Sequence, residues 1–202
     1  ITLSRLHLIQ YSYSHSIDET LEEAVNIAER HTDSHIGFIH FFDADQQHVT
    51  LQNWSTQTKN KYCRALGKCR HYSIENAGVW VDCIHQKKPV MHNDYSALPH
   101  KKGMPEGHAS VVRELVVPVV IGNVVQAALG VGNKETDYTN EDVETLSLIA
   151  SLIWETIQHK LAHDELNEYK GHLEELVEER TRALTESQTE LIKAKEAAES
   201  AN

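Results

Sequence analysis

The chain has 202 residues and 40% hydrophobic content, enough to bury one core plus an appendage rather than two full domains. It carries 19 Lys and Arg against 30 Asp and Glu, a net charge of −11, and residues 161–202 alone hold 5 basic and 11 acidic groups. Both portions are acidic, which argues against a nucleic-acid binder that tracks phosphates with a clustered basic face. Cys63, Cys69 and Cys83 are an odd number without CxxC spacing, so a reducing compartment, the cytoplasm, is expected, and no apolar run approaches the ~20 residues of a membrane span.

In chain order, residues 1–14 read as an N-terminal linker helix with Leu3, Leu6 and Ile9 or Gln10 near helical spacing. Ser16 followed by Glu19 forms a capping box, and Leu21, Ala24, Val25 and Ala28 set an i, i+3, i+4, i+7 stripe for a helix over 17–30. His35 to Asp43 and His48 to Trp54 predict an antiparallel hairpin, with Val49, Leu51 and Asn53 on one side of its second strand. Residues 55–72 are polar and aperiodic. Ser73 then caps a helix with Ala77, Trp80, Val81 and Ile84 on one face, ended ahead of Pro89.

Residues 89–94 predict a short strand, and the segment from Asp94 to Ser110 is too long to be a mere connection. Two apolar runs flank Gly122-Asn123, a two-residue hairpin signal at the centre of a sheet, and Pro118 belongs at a bulge or an edge. Thr139 and Asp142 cap a helix whose Val143, Leu146, Ala150, Ile153 and Ile157 pack on the domain. The helical pattern continues to Asn202 without proline, far longer than a compact domain accommodates. Leu173, Val177, Arg180, Leu184, Ser187, Leu191, Ala194 and Ala198 alternate by four and three, a weak heptad seam. The chain starts without Met and stops inside this pattern, as a segment of a longer protein would.

The order of elements resembles the GAF domain, with the match carried by Arg113 to Ile157: Pro118 ends an apolar strand, Gly130 and Gly132 lie in the next, and Tyr138 and Asp142 introduce the helix. The resemblance implies an α+β fold, a GAF-like central antiparallel sheet flanked by helices over residues 15–160, followed by a signalling coiled-coil helix over 161–202. His92 to Leu115 further resembles sensory GAF modules of hybrid histidine kinases, and the C-terminal stretch resembles the linker ahead of their phosphoacceptor helix. This implies a non-catalytic input module, homodimeric, with a small-molecule ligand and a downstream kinase domain in the same full-length chain. Asn133, Lys134, Tyr138 and Asp142 also resemble part of the NK…F…DE pattern of cyclic-nucleotide-binding relatives, read here as fixing the junction between strand and helix.

A ligand would sit between the sheet, the helix bearing Trp80 and Cys83, and the long loop, with His92, Asp94, Tyr95, His100 and His108 on the loop and Arg113 and Glu114 at the mouth of the next strand. Each has an ordinary alternative: Trp80 and Cys83 as core residues, Asp94 and His108 as groups tying the loop to itself. No cofactor is specified. A haem or metal redox sensor using Cys83, His85, His92 and His108, or His159 with His163, and a ligand-free dimerisation module are the rival readings. No nucleophile elbow or Gly-rich phosphate loop is present, so no catalytic residue is assigned.

Overall fold

The computed structural model describes residues 2–43, 46, 48–62, 78–99, 101 and 109–200. They fall into two compact units, Ile1–Gln158 and His159–Asn202. The first contains helices α1 (Thr2–Ser14) and α2 (Ile17–Thr32), strands β1 (Ile36–Phe42) and β2 (Val49–Trp54), the short α3 (Asp82–Gln86), and strands β3 (Val90–His92), β4 (Glu114–Ile121) and β5 (Val124–Gly132). The last helix, α4 (Asn140–Ser200), begins in this unit.

Local chemistry accounts for the helix ends. Ser16 and Glu19 form the reciprocal capping box, with the Ser16 N–H donating to Glu19 Oε2 at 2.8 Å and the Glu19 N–H donating to Ser16 Oγ at 3.2 Å. Such a cap contributes about 1 kcal/mol. The α2 helix stops at Asp33, whose left-handed conformation (φ 50°) lets its N–H donate to the Glu29 carbonyl. At the start of α4, Asp142 accepts from the Thr139 N–H at 2.8 Å, and Lys134 Nζ lies 2.7 Å from the other Asp142 oxygen.

All five strands are antiparallel in the order β2-β1-β5-β4-β3, so β5 is central and β2 and β3 are the edges. The β4–β5 turn has Gly122 at φ 57° and Asn123 at φ 67°, the paired positive φ values of a two-residue hairpin turn. Pro118 pairs with Ala128 beyond the point where β3 stops at Val90↔Val116, which gives it the edge setting that a residue without an N–H requires.

Both faces of the sheet are covered. Ile39, Phe41, Leu115, Val117, Leu129 and Val131 join Leu21, Ala24, Val25 and Ala28 of α2 and Leu146, Ala150, Ile153 and Ile157 of α4, with Leu8 of α1 in the same core. The alternate residues Val116, Val125 and Ala128 pack with Val81, Cys83 and Ile84 on the opposite face, where Phe38 and Trp80 close the cluster. Burying one such Leu or Ile side chain contributes about 1.5–3 kcal/mol, so the α4 stripe alone anchors its first turns firmly.

The structure corrects three expectations. A bulge between Phe41 and Phe42 pairs Phe41 with Leu51 but Phe42 with Val49, which turns Val49 into the opposite core while Asn53 faces α2 and donates to the Asp18 carbonyl. Residues Thr58–Tyr62, read as aperiodic loop, form a π-helical turn. Ser55 starts it, accepting from the Thr58 N–H at 3.0 Å, and both hydroxyls bond the buried Glu29 carboxyl, a partner far off in sequence. The helix placed after Ser73 is, in its described part, a 3-10 turn (Val79–Val81) followed by five-residue α3; Ser73 and Ala77 lie outside the described residues.

A Cβ on Gly130 would stand 2.2 Å from Phe38 Cζ, far inside van der Waals contact. Gly130→Ala is therefore expected to lower stability in urea unfolding by about 1–3 kcal/mol, the cost of overpacking, and much of that loss should be recovered by adding Phe38→Leu.

Candidate functional site

The face of the sheet opposite α2 and α4 carries an aromatic floor. Phe38, His40 and Phe42 alternate onto it from β1, and Trp80, from the turn before α3, lies 4.6 Å from the His40 ring and 5.9 and 6.2 Å from those of Phe38 and Phe42, centroid to centroid. Trp54 of β2 stands edge-on to His40 at 6.2 Å. His40 is buried, and loss of hydration lowers its pKa from 6.5 to about 3, so it is a neutral imidazole within the ring cluster. Trp80 thus packs as a core aromatic while remaining partly exposed.

A polar row crosses the sheet beside this floor, where register places His92 of β3 opposite Glu114 of β4 and Glu114 opposite Gly132. His92 Nδ1 lies 3.0 Å from Glu114 Oε1, and Nε2 lies 3.9 Å from Asp82 Oδ2 at the start of α3. The hydrogen bond to Glu114 raises the His92 pKa above 6.5 against the opposing effect of burial, with the charges of Glu114 and Asp82 adding to the rise. The His92 imidazole is thus held between two carboxylates, which favour its protonated form.

Tyr95 and Cys83 complete it. Burial, then the Glu114 charge, raises the Tyr95 phenol to about 12, and a Cβ on Gly78 would stand 3.7 Å from its hydroxyl. Cys83 is fully buried, and burial followed by the charges of Glu114 and Asp82 pushes its thiol well up, so it stays protonated and behaves as a small apolar residue. Among the described residues no group of three or more His, Cys, Asp and Glu side chains is arranged to hold a metal ion.

The structure therefore gathers Cys83, His92, Tyr95 and Glu114 into one cluster beside Trp80, and sends the other two described candidates elsewhere. Asp94 is exposed and accepts from Ser96 Oγ at 2.7 Å and from the Ala97 N–H at 3.1 Å, which holds the 3-10 turn Tyr95–Ala97. Arg113 donates to the carbonyls of Lys134 at 2.6 Å and Glu135 at 2.9 Å, away from the aromatic floor. His100 and His108 lie outside the described residues. His40 and Asp82 are contributors that sequence reasoning missed. A lone polar residue inside the run IGFIHFF was the available signal for His40.

A cleft of about 630 Å³ opens where α2 ends, lined by Glu29, Asp33, His35, Gln57, Lys134 and Glu135 among others. Glu29 in its wall is buried, and loss of hydration raises its carboxyl pKa despite the bonds from Ser55 and Thr58.

This antiparallel sheet order, with α2 and the start of α4 packed on one face, is the fold of a GAF domain. The family profile of the GAF domain matches residues 14–158, and the chain belongs to that family. It is 34% identical over 178 residues to the methyl sulfide methyltransferase-associated sensor of Methanosarcina acetivorans, an alignment that takes in 88% of this chain and 18% of that protein. The chain thus spans less than a fifth of this relative. Similar solved structures include a methyl-accepting chemotaxis protein (TM-score 0.61, 16% identity, 78% of this chain and 96% of the other) and the GAF domain of an Acinetobacter phosphoenolpyruvate-protein phosphotransferase (TM-score 0.58, 18% identity, 80% and 94%). A free methionine-R-sulfoxide reductase from Neisseria meningitidis in complex with its substrate is also similar (TM-score 0.59, 11% identity, 79% and 89%). At these identities the likeness is one of fold, and the fold serves sensors and an enzyme alike.

The two histidines give opposite pH signatures. His40 is depressed, so its contribution to stability is present above pH 6.5 and is lost as pH falls toward about 3. His92 is raised, so its contribution is present below pH 6.5 and is lost as pH rises through its folded value. In urea titrations His40→Asn should flatten the acid limb by up to about 1.4 kcal/mol per pH unit, and His92→Asn should flatten the limb above pH 6.5 instead.

Proposed function

We propose that this chain is the sensory input module of a two-component histidine kinase, in which the face bearing Trp80, Cys83, His92, Tyr95 and Glu114 receives a small molecule and α4 carries the result onward. Asp94, His108 and Arg113 belong to the loop that frames the site. The module itself is non-catalytic, and the kinase domain lies in the same full-length chain. The observation that carries the reading is the double use of α4: its first turns supply Leu146, Ala150, Ile153 and Ile157 to the domain core, and the same helix runs on with Leu173, Val177, Leu184 and Leu191 exposed. A ligand that favours one seat of those first turns biases everything downstream by its differential affinity. The Methanosarcina relative is itself a sensor, which supports this reading.

The exposed stripe is proposed to pair in parallel with that of a second copy, with Arg180 and Ser187 limiting its strength. Sedimentation of the 202-residue chain is expected to give a homodimer, weakened at least about tenfold by Leu184→Asp with Leu191→Asp while near-UV circular dichroism stays unchanged. A concentration-independent monomer would overturn transmission through a paired coil. For the input side, native mass spectrometry of protein exposed to cell extract should show a small-molecule adduct lost in Trp80→Ala and His92→Ala; an unliganded mass throughout would favour a dimerisation module. A full-length protein that takes no phosphoryl group from ATP would remove the kinase assignment.

A further inference from the structure

We propose that Asn93 is the residue that couples the loop between β3 and β4 to the first turn of α4. The inference rests on the reading of that loop as input and α4 as output. Asn93 directly follows β3, and its carboxamide grips one peptide unit on either side of Tyr138: Oδ1 accepts from the Tyr138 N–H at 2.8 Å and Nδ2 donates to the Tyr138 carbonyl at 3.1 Å. Tyr138 immediately precedes Thr139, the residue that caps α4 and whose carbonyl accepts from the Val143 N–H. A side chain at one end of the loop thus holds the backbone from which the helix departs.

The fixed point is on the other side of the same residue. The Tyr138 ring is buried, and its hydroxyl bonds Ser34 Oγ at 2.8 Å, which in turn bonds Thr32 Oγ1 at the end of α2. Tyr138 is therefore pinned at its ring and gripped at its backbone, so a displacement of Asn93 tilts the cap of α4 about the ring rather than carrying the residue away.

The far end of the loop is tied to the same connection. The Val112 N–H donates to Asn133 Oδ1 at 2.8 Å, Asn133 Nδ2 donates to the Ser110 carbonyl at 2.7 Å, and Arg113 holds the carbonyls of Lys134 and Glu135. The two ends meet where the Tyr95 N–H donates to the Val112 carbonyl at 2.9 Å. The carboxamide offers a donor and an acceptor on one planar group, whereas a carboxylate only accepts, so Asp at this position keeps the grip on the Tyr138 N–H and loses that on its carbonyl.

The test is hydrogen exchange on the 202-residue chain without any ligand, as a cycle of Asn93→Ala, Asp94→Ala and the double variant. Asp94→Ala frees the 3-10 turn from the loop side. It should speed exchange over residues 95–99 and, through Asn93, by about tenfold over residues 139–146. In the Asn93→Ala background, where residues 139–146 already exchange faster, adding Asp94→Ala should leave them unchanged while still loosening 95–99. Additive effects at 139–146, or no effect of Asp94→Ala there in the otherwise native chain, would overturn the proposal. If Asn93→Ala fails to fold by near-UV circular dichroism, Asn93→Asp, which keeps one of the two bonds, serves in the same cycle: the effect of Asp94→Ala at residues 139–146 should then be reduced, and an undiminished effect would overturn the proposal. Because no ligand is used, failure here leaves the sensory reading standing, and absence of a ligand adduct leaves this coupling standing.

Discussion

The constraint on which the rest depends is that the central strand β5 is buried on both of its faces. Ala127, Leu129 and Val131 pack toward α2 and α4, and Val125 and Ala128 toward α3. The helices that fasten the domain to its long C-terminal helix therefore pack on one face, and the opposite face is left for a site. Gly130 and Gly132 extend this logic, because without a Cβ they let Phe38 and Ile36 of β1 lie across the strand. Aromatic bulk from β1 is thereby spread under Trp80.

Electrostatics divides that second face into a dry part and a polar part. Burial among rings keeps His40 neutral, whereas on β3, three strands across the sheet, Glu114 and Asp82 raise the pKa of His92. The same carboxylates, together with burial, hold Cys83 as a thiol. The face thus presents an uncharged aromatic surface bordered by an organised ionic edge. Arg113, the cation closest in sequence to that edge, is turned to carbonyl groups at the junction with α4.

That junction concentrates polar bonds as densely as the site does. Lys134 with Asp142, Arg113 with two carbonyls, Asn133 with two backbone groups and Asn93 with Tyr138 all converge on residues 133–142. A turn that had only to connect a strand to a helix could be made with the Thr139–Asp142 cap alone. The additional bonds reach back to both ends of the loop between β3 and β4, so the start of α4 and the frame of the site form one hydrogen-bonded assembly.

The sequence by itself determined whatever depends on neighbours along the chain. The Ser16–Glu19 box, the 3.6-residue stripe of α2, the Gly122-Asn123 turn and the Thr139–Asp142 cap each rest on contacts within a few residues, and all are formed as read. The exposed stripe beyond residue 158 was likewise visible as periodicity. Tertiary structure decided what depends on partners distant in sequence. The bulge that turns Val49 over arises from pairing with β1, and the turn at Thr58–Tyr62 is anchored on Glu29. The same holds for side-chain direction: Arg113 serves a junction more than twenty residues away, and His40 loses its charge to rings from three separate segments. Periodicity states which face a residue occupies; it carries no information about which distant group will meet it there, and in this site that meeting fixes the charge of each candidate residue.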